Sequence, residues 1–327
     1  MTKKPLKTCF VCFAGFLTLV FVFGPREPVR LSTDHDKIVI GDDVDAYLVM
    51  REGQFDDIID GVEKQVIWAG EANVKTQLSI IYLHGFTASS EEIRPVPDRV
   101  AAALGANLFF TRFAGHGRQP STMADANVGR WMDDVGEAIK IGEQIGETVI
   151  IMATSTGGTL AAAAALDEGA MENIEGIIFV SPNFAVNSHA ANMLNWPFAR
   201  HWVPLVIGAE QQGNARNDLH ARYWMMNYPT TALMPMAAIV AAVDRETYKN
   251  VDIPALFYYS RQDQVVSPEK TAEFAKSWGG VSKTIIANLT GDDDKFSHII
   301  AGDIVSPNQT ENAVDHMLTW ISGLRNR

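Results

Sequence analysis

The chain has almost no cysteine. Of 327 residues only Cys9 and Cys12 carry a thiol, and both lie in the first segment. The body therefore has no structural disulfide, no thiolate zinc site and no cysteine nucleophile. A basic surplus is missing too. With 27 Lys and Arg against 39 Asp and Glu, the formal charge is −12. That balance argues against a nucleic-acid partner, which needs concentrated positive charge. Internal repeats are absent, and the only biased tract is one alanine run. With 47% hydrophobic and 20% charged residues, no part of the chain has the polarity that keeps a segment disordered.

Long apolar runs are also scarce, with one exception at the N-terminus. Lys3, Lys4 and Lys7 precede an uncharged stretch over 8–24, and Pro25 ends it. A basic region at 1–7 before such a run reads as a signal-anchor or signal peptide, with a cytoplasmic N-terminus and an exported body. The run is at the short end of the ~20 residues a spanning helix needs. Val22-Phe23-Gly24 offers only one small residue for cleavage, and no lipobox spacing precedes either cysteine. The expectation is a membrane-anchored protein with its body on the periplasmic or extracytoplasmic side. Secretion after cleavage is the alternative, and a buried helix a third reading.

Residues 25–61 read as a tether followed by a helix over 42–61, where Val44, Tyr47, Leu48, Phe55, Ile58 and Ile59 have helical spacing. After that, β-branched apolar runs alternate with helical stretches. Strands are expected at 62–68, 78–83, 107–112, 148–153, 176–181, 254–260 and 283–288. Helices are expected near 91–104, 128–145, 157–167, 268–278 and 309–324. Near-continuous apolar strands separated by helices predict an α/β fold with a mostly parallel sheet covered on both faces. The core comprises 62–182 and 252–327. Between them, 183–251 has no convincing strand and is crowded with tryptophan and methionine, including Trp196, Trp202, Trp224, Met225 and Met236. It reads as a helical cap, serving either as extra core or as a lid over an apolar substrate.

In parallel sheets the working residues gather at the carboxyl ends of the strands. Ala153-Thr154-Ser155-Thr156-Gly157 follows a strand and opens a helix. Small residues two before and two after the serine permit the sharp turn that lifts its hydroxyl clear of the sheet. Alone the pentapeptide is weak, since any strand-to-helix turn uses such residues; its context strengthens it. A serine nucleophile needs a base, and the base needs an orienting carboxylate. The order serine, acid, histidine singles out His298, in a loop after the last strand. Asp263, in a turn after the strand at 254–260, is the leading acid, with the run Asp292, Asp293, Asp294 as rival. Two backbone N–H groups must face the oxyanion. Thr156 supplies one, and Phe86, in His84-Gly85-Phe86 just after Leu83, supplies the other. His316 reads as a surface or helix-packing residue, and the sequons at Asn288 and Asn308 as chance matches.

Taken together, HGF at 84–86, RFAGHGR at 112–118, TSTGG at 154–158, SPN at 181–183, DQVVSP at 263–268 and SHIIAGD at 297–303 resemble the α/β-hydrolase superfamily. Within it they resemble the monoacylglycerol-lipase and carboxylesterase-like, S33-type branch. The resemblance covers roughly 77–321. It implies an α/β-hydrolase fold with a helical cap at 183–251, Ser155 as nucleophile, Asp263 as acid, His298 as base, and Phe86 and Thr156 as oxyanion donors. His116 would support the site rather than react. Two features depart from the pattern: Ala153 replaces a glycine, and an N-terminal helix and tether are added.

The expected activity is hydrolysis of carboxylic esters, with a lipid-derived substrate such as a monoacylglycerol or lysophospholipid. No metal or organic cofactor is implied. The expected partners are that ester and, through the N-terminal segment, a membrane. A thioesterase or amidase would use the same residues. A catalytically silent membrane-tethered binding module is the reading from another class, and an active-site probe separates it from an enzyme.

Overall fold

A computed structural model describes residue 15 and residues 18–325. Most of the apolar run at 8–24 therefore lies outside the described residues. Among those described, no helix is long and apolar enough to cross a membrane. The strands in chain order are β1 (Gln65–Ile67), β2 (Thr76–Leu83), β3 (Asn107–Phe110), β4 (Gly146–Thr154), β5 (Ile174–Val180), β6 (Glu210–Gln212), β7 (Asn227–Pro229), β8 (Ala255–Tyr259) and β9 (Ser282–Ile286). The helices are α1 (Val44–Glu52), α2 (Val96–Leu104), α3 (Val128–Ile145), α4 (Thr156–Ala164), α5 (Ala199–Ile207), α6 (Asp218–Tyr223), α7 (Leu233–Val243), α8 (Pro268–Ser277) and α9 (Thr310–Arg325).

Seven strands form one sheet in the order β1-β3-β2-β4-β5-β8-β9. Every pairing in it is parallel except β1 against β3. The central strands are buried on both faces, so each reads as an unbroken apolar run whose alternate residues enter different cores. In β4, Val149, Ile151 and Ala153 join the core that includes α3 and α4. Ile150 and Met152 join the opposite core, filled by Val96 and Val100 of α2 and Met317, Trp320 and Ile321 of α9. The parallel order sends β2, β4 and β8 in the same direction, so the loops that leave them open on one rim.

Three expected elements differ. The helix expected near 91–104 is split into a 3-10 turn at 90–92 and α2. Pro95 cannot donate to a preceding turn, and it biases Arg94 away from helical backbone angles. The helix expected over 42–61 ends at Glu52. There the Glu52 carboxylate accepts from Arg112 at 2.7 and 2.8 Å, and the chain turns at Gly53. Within 183–251, expected to lack strands, β6 and β7 form a two-stranded antiparallel pair. Short helices make up much of the rest.

Candidate active site

β4 ends at Thr154 and α4 begins at Thr156, so the single residue between them makes the whole turn. That residue is Ser155, at φ 50 and ψ −119, a left-handed conformation unusual for a non-glycine residue and strained. Its N–H donates to Val180 O at 3.0 Å, and its carbonyl accepts from Asn183 N at 2.9 Å, so β5 and the loop after it hold the turn. Gly157 makes the turn possible from the other side. A Cβ there would stand 2.2 Å from Leu83 O and 2.6 Å from His84 O.

His298 arrives from the loop between β9 and α9. Its Nε2 lies 3.0 Å from Ser155 Oγ, and its Nδ1 lies 2.8 Å from Asp263 Oδ2. Ser155, Asp263 and His298, expected from far-separated stretches, are thus in one hydrogen-bonded line. All three are more than nine-tenths buried. The other Asp263 oxygen accepts the N–H groups of Val265 and Val266 at 2.8 and 3.0 Å. Those donors fix the carboxylate's orientation.

The rival acids serve elsewhere. Asp294 accepts the backbone N–H groups of Phe296, His298 and Ile299 and so shapes the histidine loop without touching the ring. Asp293 accepts from Thr290 and Gln309. Burial disfavours a charged His298, but Asp263, and then Glu92 and Asp294, outweigh it, so its pKa stands above the ordinary imidazole value.

The amides of Phe86 and Thr156 donate to no acceptor among the described residues, while those of Gly85, Thr87 and Ser155 beside them are committed. Thr87 N–H donates to His116 Nε2 at 3.1 Å, and Phe113 N–H to His84 Nε2 at 3.1 Å. Each imidazole accepts on Nε2, so each is neutral with its proton on Nδ1. Burial accounts for this first: it pushes His84 well below the usual range and His116 down to about 4. His84 and His116 thus each hold a backbone N–H of the surrounding loops through the ring.

The segment between β5 and β8 lies over this loop. Met225 N–H donates to Thr87 O at 2.7 Å, and the Tyr228 ring meets Phe86 edge-on at 5.4 Å. Among the described residues no group of three or more His, Cys, Asp or Glu side chains is arranged to hold a metal ion. Two neighbours escaped the reading of the residues. Tyr82 is hidden in an apolar strand, and Glu92 sits in a stretch without any motif; neither carries a signal in one dimension.

The sequence profile of the family described as serine aminopeptidase, S33, matches residues 75–288, from just before β2 to just after β9. The chain belongs to that family. The architecture of this S33-family protein is the α/β-hydrolase fold, with seven strands and helices on both faces. A search of curated proteins returned no match. Among solved structures, the S33-family chain is similar to one described with the metagenome-derived lipolytic enzymes LipS and LipT. They share 20% identity at TM-score 0.63, covering 83% of this chain and 100% of that one. It is similar to a monoacylglycerol lipase of Paleococcus ferrophilus at 16% identity and TM-score 0.59, covering 80% and 98%. A soluble variant of the Saccharomyces cerevisiae monoglyceride lipase, solved with a substrate analog, is 12% identical at TM-score 0.59, covering 80% and 91%. At these identities the likeness is one of fold.

Proposed function

We propose that this S33-family protein is a serine hydrolase of carboxylic esters that works through an acyl-enzyme on Ser155. The observation that carries the reading is the line Ser155–His298–Asp263, at 3.0 and 2.8 Å, on a serine held at φ 50. As Ser155 Oγ attacks the acyl carbon, its proton passes to His298 Nε2, and Asp263 stabilises the imidazolium. The carbonyl electrons move onto oxygen, which takes the N–H groups of Phe86 and Thr156. Collapse of the tetrahedral intermediate expels the alcohol, which collects the proton from His298. A water molecule then repeats the sequence on the acyl-serine and releases the acid.

A lipid-derived ester, monoacylglycerol-like or lysophospholipid-like, fits the surroundings best. Phe86, Met123, Met225 and Tyr228 form an apolar cluster beside the oxyanion loop. The segment 183–251 acts as the cap. At its outer side α5 leaves Leu205, Val206 and Ile207 exposed, and Phe21 packs edge-on against Trp196 at 5.6 Å. Pro25 O accepts from Phe198 N, and Glu27 pairs with Arg200 through two contacts of 2.6 and 2.7 Å, so the chain leaving the apolar run is fastened to the cap. Membrane anchoring through 8–24, with the body on the extracytoplasmic side, rests instead on the lysines at 3, 4 and 7 ahead of that run; a secreted form keeps the same site.

The test is hydrolysis of short p-nitrophenyl esters and labelling by a fluorophosphonate, followed by a panel of monoacylglycerols, lysophospholipids, acyl thioesters and aminoacyl anilides. Ser155→Ala should abolish labelling and turnover while leaving the melting temperature near that of the wild type. Full activity in that variant would end the proposal. A strong preference for thioesters or anilides would replace the substrate class and keep the residues.

A further inference from the structure

Behind the nucleophile lies a second carboxylate that the mechanism above does not use. Glu92, on the 3-10 turn at 90–92, is 3% exposed. Its Oε2 accepts the Gly85 N–H at 2.7 Å and the Tyr82 hydroxyl at 3.0 Å. The Tyr82 oxygen in turn meets Thr154 Oγ1 at 3.0 Å. With the tyrosine proton committed to the carboxylate, Thr154 is the donor in that second bond. Gly85 directly precedes Phe86, and Thr154 directly precedes Ser155. One carboxylate oxygen therefore ties the loop with one oxyanion donor to the strand that presents the serine.

The other oxygen faces the nucleophile across Gly85. A Cβ on that glycine would fall 2.6 Å from Glu92 Oε1 and 3.0 Å from Ser155 Cβ. The histidine loop closes on the same turn from the far side. A Cβ on Gly302 would stand 2.6 Å from Ile93 Cα, and Asp303 N–H donates to Arg94 O at 2.9 Å. Glu92 is thus the point where the loops of nucleophile, base and oxyanion meet.

We infer that Glu92 is a positioning residue of the active site. It clamps the Gly85 amide so that the Phe86 N–H stays aimed at the oxyanion, and as an anion it joins Asp263 in favouring the charged imidazole of His298. The inference rests on the esterase reading and deepens it. A clamp alone would need only an acceptor, and a buried amide is cheaper to hold than a buried carboxylate. The charge is what an amide could not supply. Burial pushes the pKa of Glu92 up to about 7, against the opposing pull of the Gly85 amide, His298 and Tyr82. The groups facing this pair are few. His298 is met by Asp263, Glu92 and Asp294, and Tyr82 by Glu92 and Glu91, while Glu91 itself pairs with Arg94 at 2.8 Å.

The experiment compares full-length wild type, Glu92→Gln and Glu92→Ala on a p-nitrophenyl ester from pH 5 to 9. Glutamine keeps an acceptor for Gly85 and Tyr82 but no charge. It should hold KM within about twofold and move the acid limb of kcat/KM to lower pH by about half a unit. Alanine also frees the Gly85 amide, and should lower kcat about tenfold or more with KM little changed. A glutamine profile that superimposes on the wild type, with alanine within twofold in kcat, overturns the inference. If the alanine variant does not fold, the glutamine profile decides alone. A wild type that neither hydrolyses esters nor takes up a fluorophosphonate overturns the esterase reading and this inference with it; unchanged variants of an active wild type overturn the inference alone.

Discussion

Asp263→Asn is the most informative single change at the proposed site, because the structure dictates which way the new amide must face. Asp263 Oδ1 accepts two backbone N–H groups, from Val265 and Val266, at 2.8 and 3.0 Å. An asparagine that keeps those bonds places its oxygen there and its NH2 where Oδ2 stood, 2.8 Å from His298 Nδ1. An NH2 group can only donate, so Nδ1 must be the unprotonated nitrogen. The ring proton then sits on Nε2 and points at Ser155 Oγ, 3.0 Å away, where the base needs a lone pair. Turning the amide round would set its NH2 against two donors, of which the Val266 N–H is buried and would cost about 1–3 kcal/mol if left unpaired.

The wrong tautomer is therefore favoured by about 1–3 kcal/mol or more, and the imidazolium loses its anion as well. A fall in kcat on the order of 10³ to 10⁴ is expected. Since Asp263 is the leading group that raises the His298 pKa, the acid limb of kcat/KM, where the neutral base gains a proton, should also move to lower pH. Ester hydrolysis from pH 5 to 9, with thermal melting to check folding, measures both. Asp294→Asn is the control. Its partners are backbone amides and Arg216, so it should lower the melting temperature more than the rate. A folded Asp263→Asn protein within tenfold of the wild type, with an unmoved acid limb, would refute the assignment of the acid.

Two further outcomes concern stability. Glu92 ionises near pH 7 in the folded protein against 4.5 ordinarily, so the unfolded chain gives up its proton first. Its ionisation destabilises the fold progressively between those two values, by up to about 3 kcal/mol above the upper one. Glu92→Gln should therefore gain in melting temperature over the wild type between pH 5 and 8, and a constant gap would contradict the buried-acid account. Lys64 is buried against Asp134, at 2.8 Å, and Glu137. Lys64→Met would leave both carboxylates short of a partner and should cost about 3–5 kcal/mol in urea unfolding. An unchanged midpoint would show that the cluster relaxes or takes up protons freely.

Much of the sheet and all three members of the Ser155–His298–Asp263 line can be read from residue order, because strand periodicity and strand-end chemistry are local signals. The choice between Asp263 and the run 292–294 is not local. Asp294 lies four residues from His298 and even bonds its backbone, yet the ring turns to Asp263, 35 positions away. Glu92 is further out of reach: its place depends on Tyr82, one residue of a strand whose apolar run hides a functional hydroxyl, and on a turn created by Pro95. The prolines of Arg94-Pro95-Val96-Pro97 did carry the break in the expected helix, but the apolar spacing on either side outweighs them in a simple reading. β6 and β7 are three residues each, too short for any period to show.

Backbone strain bears on whether this is an enzyme or a silent module with the same fold. Among the described residues seven non-glycine positions have positive φ: Asp34, Asn73, Thr87, Ser155, Ser181, Phe198 and Ser297. Four of the seven belong to the proposed site. Thr87 lies in the oxyanion loop, Ser155 is the nucleophile, Ser181 follows β5 whose last carbonyl holds the Ser155 amide, and Ser297 precedes the base. Each such residue costs about 1–3 kcal/mol and persists only where the surroundings over-determine it. The same site holds a buried carboxylate and two neutral histidines used as props. A module retained only for binding would gain stability by relaxing any of these, whereas attack on an acyl carbon needs serine, imidazole and amides fixed together. The concentration of strain at one rim therefore favours catalysis.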